Sequence, residues 1–220
     1  MEVLSRKERE RKVRENEIIQ AAEKILKIKG YNDTSMDEIA KEAQFTKRTL
    51  YQYFQNKEDL YYTVVLKEYE KLFGYLKSGL ENGNTGYMKI YYSCLEYYNY
   101  YLSNPDTLSL ISYIGYVKNK SQAVSKKRDD MLKFDNFIFK EVANVIEEGK
   151  NDGSIKASLN SDMTAYSLIF MITGFFNQIS VTGQTFTEHF KLEFEEFIIY
   201  SLNLLLKSID NTKEAQRWKK

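Results

Sequence analysis

Thr46, Lys47, Arg48 and Thr49 follow one another in "TKRTLYQYFQNKEDL", with Tyr51 and Tyr53 close behind and no acid before Glu58. Cationic side chains donate to phosphate oxygens or guanine edges, and threonine can contact a phosphate or a thymine methyl. Tyrosine hydroxyls and the N–H groups at a helix start hold phosphates without reading sequence. This run of residue types therefore suits contact with a nucleic-acid groove. Thr46 caps a helix in which Leu50 and Phe54, four apart, point inward. Lys47, Arg48 and Tyr51 then share the opposite face, with Thr49 beside them. From Gln44 to Lys57 there are three cations and no acid, whereas the whole chain has a net charge of only +1. Any attraction for nucleic acid must be local.

The elements that would position these residues read as helices. The first covers about residues 8 to 29, with Ile18, Ala22, Ile25 and Leu26 on one face and Gly30 as its stop. Ser35 and Glu38 form a capping box for a short second helix whose apolar face is Met36, Ile39, Ala40 and Ala43. After a turn at Gln44 and Phe45 comes the basic helix. Asn56 and Asp59 then cap a fourth, with Leu60, Val64, Leu72 and Leu76 as its stripe. Two short helices joined by a tight turn and packed on a longer first one describe a helix-turn-helix, in which the second short helix enters the major groove.

The stretch "GYNDTSMDEIAKEAQFTKRTLYQYFQNKEDLYYTV" resembles the DNA-binding region of the TetR family of bacterial transcription regulators. The likeness rests on Gly-Tyr, Thr-Ser before the second helix, Ile-Ala within it, Leu-Tyr-x-Tyr-Phe in the third and Asn-Lys-Glu-x-Leu opening the fourth. It covers about residues 15 to 66. It implies DNA contacts at Thr46, Lys47, Arg48, Thr49, Tyr51 and Tyr53, with Lys57 adding one and Thr34 or Ser35 another. One departure is Gln44, which stands where the family usually has glycine or another residue tolerant of positive φ. The resemblance further implies a larger helical domain with an effector pocket, whose last two helices dimerise.

Beyond the fourth helix the expectation rests on periodicity. With one proline and ten glycines in 220 residues, little breaks a helix. The fold class expected is all-α, about nine helices, with a helix-turn-helix unit at residues 1 to 60 and an effector and dimerisation domain at 61 to 220. "SGLENGNTG" reads as a loop, and Gly149 and Gly153 as breaks in "EEGKNDGSI". The chain carries 18 tyrosines, which suit cavities and interfaces better than a dry core. Tyr91, Cys94, Tyr98, Tyr113, Tyr116, Phe134, Phe137, Tyr166 and Phe170 are candidates for a pocket that takes an apolar or aromatic ligand, with plain core packing the alternative. Ile172, Phe175, Phe176, Ile179, Phe194, Phe197, Ile198 and Leu205 are candidates for a homodimer interface.

Other classes fit poorly. One cysteine and one histidine leave no zinc site of the usual spacing, and no phosphate loop or nucleophile elbow suggests an enzyme. No cofactor is expected. The N-terminus lacks a signal-peptide core, and the run from Tyr166 to Phe176 is short for a bilayer, so the expected location is cytoplasmic, away from membranes. The basic arm from Arg6 to Arg14 interleaves acids among its cations, leaving open a minor-groove arm or a solvated first turn. The expected partners are an operator DNA, a second copy of the chain and a small effector. The alternative is a DNA-binding regulator or architectural protein controlled by a protein partner.

Overall fold

The computed structural model describes residues 5–112 and 126–211. These residues form nine helices and no strand. In chain order they are α1 (Arg6–Lys29), α2 (Met36–Glu42), α3 (Lys47–Leu50), α4 (Lys57–Asn82), α5 (Gly86–Ser103), α6 (Thr107–Ser112), α7 (Lys126–Asn151), α8 (Ser161–Phe190) and α9 (Phe194–Leu206). They divide into two compact units. One comprises the described residues of Met1–Glu70 and Ser109–Leu132, the other those of Lys71–Leu108 and Lys133–Lys220. The first division falls inside α4, beyond residue 60.

The first unit is built on the apolar spacing of its helices. Ile18, Ala22 and Leu26 of α1 recur at i, i+4 and i+8 and are all buried, the period that keeps one face inward. Met36, Ile39 and Ala40 of α2 meet them, joined by Leu50, Phe54, Leu60 and Val64. Leu110, Ile111 and Met131 complete the same core, and the Tyr61 hydroxyl donates to the Leu110 carbonyl at 2.7 Å. At the amino end, Ser5 and Glu8 form a full capping box. The basic segment from Arg6 is therefore helix, and Arg6 pairs with Glu10 at 2.9 Å.

In the second unit, aromatic rings cluster beside an aliphatic core. Tyr97, Tyr98 and Tyr101 of α5 surround Phe176 of α8, with centroids 4.9, 6.2 and 5.9 Å away. Phe197 of α9 lies 6.1 Å from Phe175 and 5.6 Å from Phe186. Two loop expectations give way here. The segment "SGLENGNTG" is mostly helix, since α4 runs to Asn82 and Thr85 caps α5 by accepting the Met88 N–H. Nor does Gly149 break α7. A Cβ on Gly86 would stand 2.3 Å from the Gly149 backbone, so the pair marks where two helices touch. Only the second expected break is a turn, with Gly153 at φ 80°. Asp152 and Ser154 beside it accept the Gly86 and Tyr87 N–H groups at 2.8 and 3.0 Å.

Candidate nucleic-acid interface

The basic helix is positioned from both sides by short, specific contacts. Thr34 closes α1 by donating to the Gly30 carbonyl at 2.6 Å. Ser35 accepts the Glu38 N–H while Glu38 accepts the Ser35 N–H at 2.9 Å, which starts α2. Lys24 and Lys29 of α1 reach Glu42 and Glu38 at 2.5 Å each, pinning α2 alongside. The Lys29 bond, then the Ser35 bonds, hold the Glu38 carboxyl down at about 2. Gln44 ends α2 in the left-handed region at φ 58°, and the Phe45 N–H returns to the Ala40 carbonyl at 2.9 Å. That six-to-one bond is the usual closure of a helix by a left-handed residue, and here glutamine carries it. Thr46 then accepts the Thr49 N–H at 3.1 Å to start α3.

Ser35, Thr46, Lys47, Arg48 and Tyr51 are exposed, and Leu50 and Phe54 are buried behind them. Thr49 and Tyr53 are half-buried. The Arg11 guanidinium of α1 stands 5.7 Å from the centre of the Tyr53 ring, which brings one cation of the basic segment beside α3. Arg48 forms no ion pair among the described residues.

Two expected contact residues are instead committed to the fold. Thr34 is buried, with 3% exposure, and its hydroxyl is spent on Gly30. Lys57 sends its ammonium to the carbonyls of Tyr31 at 2.7 Å, Thr34 at 2.8 Å and Asn32 at 3.4 Å. It also lies 4.3 Å over the Tyr31 ring. An ammonium has three donors, so Lys57 has none left for a phosphate. Its partial burial lowers its pKa, opposed by nearby Asp33. Sequence reasoning missed a different residue, Asp37, whose carboxylate accepts from Lys47 at 2.6 Å. That bond raises the Lys47 pKa. The available signal was an acid in the first turn of α2 and a cation in the first turn of α3, but a ten-residue gap across a turn does not reveal contact.

The candidates in the second unit do not converge. Tyr91, Cys94 and Tyr98 are buried on α5, and burial pushes the Cys94 thiol up to about 12. Phe134 and Phe137 of α7 both pack edge-on against Phe73, at 5.9 and 5.5 Å, and Phe137 is 46% exposed. Tyr166 leans on Phe139 at 5.2 Å in a groove of about 510 Å³ lined also by Asn136, Lys140 and Asp162. Phe170 is 73% exposed. Tyr166 and Phe170 are therefore surface residues of this chain and do not line an enclosed pocket within it. Tyr113 and Tyr116 lie outside the described residues.

The interface candidates also need correction. Ile172, Phe176, Ile179 and Ile198 are buried within the chain and are unavailable to a second copy. Phe175, Phe194, Phe197 and Leu205 are half-buried. Large apolar residues that α8 and α9 leave open include Phe170, Met171, Val181, Tyr200 and Leu204. The 30-residue α8 is long and apolar enough to cross a membrane by length and composition, and 28% of its most apolar stretch is buried within the chain.

Comparison with known proteins agrees with the helix-turn-helix geometry. Residues 18–63 match the family model described as bacterial regulatory proteins, tetR family. An HTH-type transcriptional regulator of Bacillus subtilis, YuxN, is 33% identical over 129 residues, covering 56% of this chain. The chain spans 43% of that relative's length. The fold resembles a ketosteroid transcriptional regulator of Mycobacterium tuberculosis, with a TM-score of 0.67 and 14% identity over 96% of this chain and 98% of the other. It also resembles a fatty acid degradation regulator of Bacillus halodurans, with a TM-score of 0.65 and 16% identity over 87% and 97%. Motif and family model coincide: residues 18–63 carry the DNA-binding region of the bacterial regulatory proteins of the tetR family, on a chain whose fold resembles that of known transcriptional regulators.

Proposed function

We propose that this chain is a sequence-specific DNA-binding transcription regulator, a cytoplasmic homodimer that represses from a palindromic operator and is released by an apolar or aromatic small molecule. The observation that carries the reading is the capped α3, which exposes Thr46, Lys47, Arg48 and Tyr51 with Leu50 and Phe54 locked behind them. These four, with Thr49 and the exposed Ser35, are the contacts we assign to DNA, and half-buried Tyr53 joins them through its rim. The apolar face of α8 and α9 at Phe170, Met171, Val181, Tyr200 and Leu204 is the part we assign to a second copy. Exposed large apolar side chains gathered on two helices suit a protein contact, and two-fold pairing matches the symmetry of a palindrome.

The effector class is supported by likeness to regulators of ketosteroid and fatty-acid metabolism and by the tyrosines of α5. α4 contributes residues to both units and is one covalent route for coupling, which typically amounts to about 1–3 kcal/mol. One observation favours control by a protein partner instead: the rings of Tyr97, Tyr98 and Tyr101 close directly on Phe176. Selecting bound DNA from a random pool tests the main reading. A palindromic consensus is expected, and recovery of unselected sequence overturns it. Fatty-acyl and steroid compounds added to that complex separate the two modes of control, since release by neither class favours the partner.

A further inference from the structure

We propose that Asp37 is a specificity-determining residue, restraining Lys47 so that the basic helix discriminates its site from other DNA. This rests on the reading of α3 as the DNA-contacting helix. Asp37 stands in the first turn of α2, a helix fixed by the Ser35–Glu38 box and by two lysines of α1. Lys47 is the first residue of α3, and the two side chains meet at 2.6 Å while 66% and 48% exposed. An open ion pair of this kind adds little to stability. Its consequence lies in where the charge can go. A lysine at a helix start otherwise sweeps a wide arc on four rotatable bonds and takes whichever phosphate comes near. Held by a carboxylate on a fixed neighbour, its ammonium keeps to the junction of α2 and α3. The carboxylate, unable to leave that surface, repels any phosphate that approaches there.

Both effects penalise generic backbone contacts more than a directed contact to a base edge, and discrimination is a difference of affinities. Lys57 sharpens the point, because its charge is spent on three carbonyls. Of the three cations from Gln44 to Lys57, Arg48 alone is without a partner among the described residues. A basic stretch by composition is thus a restrained one by geometry. The plainer role for Asp37, an acid favoured by the dipole at the start of α2, predicts a small loss of helix stability and no change in discrimination.

The test compares the full-length chain with Asp37→Asn, Lys47→Ala and the double variant. The probes are the duplex selected by the wild type and an unrelated duplex, read by fluorescence anisotropy at 50 to 200 mM KCl, a range chosen from the usual span of such titrations. Freeing one ammonium for a phosphate adds about 0.9 to the salt slope, or roughly threefold across that range. For Asp37→Asn the unrelated duplex is expected to lose about threefold more affinity between 50 and 200 mM than with the wild type, and to bind tighter at 50 mM, while the selected duplex changes less, so their ratio narrows there. In the Lys47→Ala background the same change is expected to raise binding of the unrelated duplex less than it does with Lys47 present, because only the carboxylate's own repulsion is then relieved. Equal effects on both duplexes, or none, overturn the proposal. A wild type that selects no sequence overturns both this inference and the reading beneath it.

Discussion

Arg48 and Lys57 carry the same charge nine positions apart, yet they do opposite work. Arg48 is exposed with no ion pair among the described residues, so Arg48→Ala should leave the melting temperature unchanged and weaken DNA binding. Electrophoretic titration against selected and unrelated duplexes separates the two contact types. A lost base contact costs about 1–3 kcal/mol on the selected site, whereas a lost phosphate contact weakens both alike. Lys57→Met keeps the stem over Tyr31 but leaves the carbonyls of Tyr31, Thr34 and Asn32 without their cation. We expect it to lower the stability of the first unit by about 1–3 kcal/mol, the usual cost of breaking hydrogen bonds to a charged group. Urea denaturation checks this, and unchanged stability with a shallower salt slope would return Lys57 to the DNA.

At the scale of elements, the helix-turn-helix depends on a turn made by a residue poorly suited to it. Gln44 holds φ at 58°, a conformation that costs a non-glycine residue about 1–2 kcal/mol. Gln44→Gly should therefore stabilise the chain by about 1 kcal/mol, less than the full strain because glycine loses more backbone entropy on folding. Gln44→Val should destabilise it, since a branched Cβ suits that region least. Thermal melts of the pair decide the matter, and two variants of equal stability would mean the turn relaxes into another conformation. The angle at which α3 leaves α2 is set here, so DNA affinity should fall with Gln44→Val even where the fold survives.

For the whole molecule, two faces of the same helices have different fates. Leu204→Glu, on the open face of α9, should dissociate a dimer while leaving a folded monomer. Ile198→Glu, with no exposure, should unfold the second unit. Sedimentation combined with circular dichroism distinguishes the outcomes, and a wild type that sediments as a monomer at micromolar concentration rejects the assigned face. Alkali tests the core itself. Burial, with the Glu58 carboxylate adding to it, pushes the Tyr62 phenol up to about 12, and burial does the same for Tyr87 and for the Cys94 thiol. All three folded values lie above the unfolded ones, so the neutral forms favour the fold. Their contribution is complete below about pH 9 and lost as pH rises through 12. Urea midpoints measured at pH 8 and pH 11 should fall accordingly, and Cys94 should ignore thiol reagents until the chain unfolds.

The sequence by itself determined what depends on short spacing. Ser35 with Glu38, Thr46 with Thr49, and Leu50 with Phe54 lie three or four residues apart, where a single helical turn fixes the geometry, and all three behave as their spacing requires. The all-α class follows in the same way from uninterrupted helical periodicity. What only tertiary structure decided is where long-range partners meet. Lys57 looked like a phosphate contact until the turn at residues 31–34 was seen folded around its ammonium, and Lys47 looked free until α2 brought Asp37 to it. Gly149 reads as a break in any one-dimensional pattern, because the helix that crosses it at Gly86 is 63 residues away in the chain. Periodicity marked α8 as apolar over a wide arc. It could not say what covers each side of that arc: Phe176, which the tyrosines of α5 enclose, and Phe170, which is left open, stand about 120° apart around the helix, and only the position of α5 decides which side is buried.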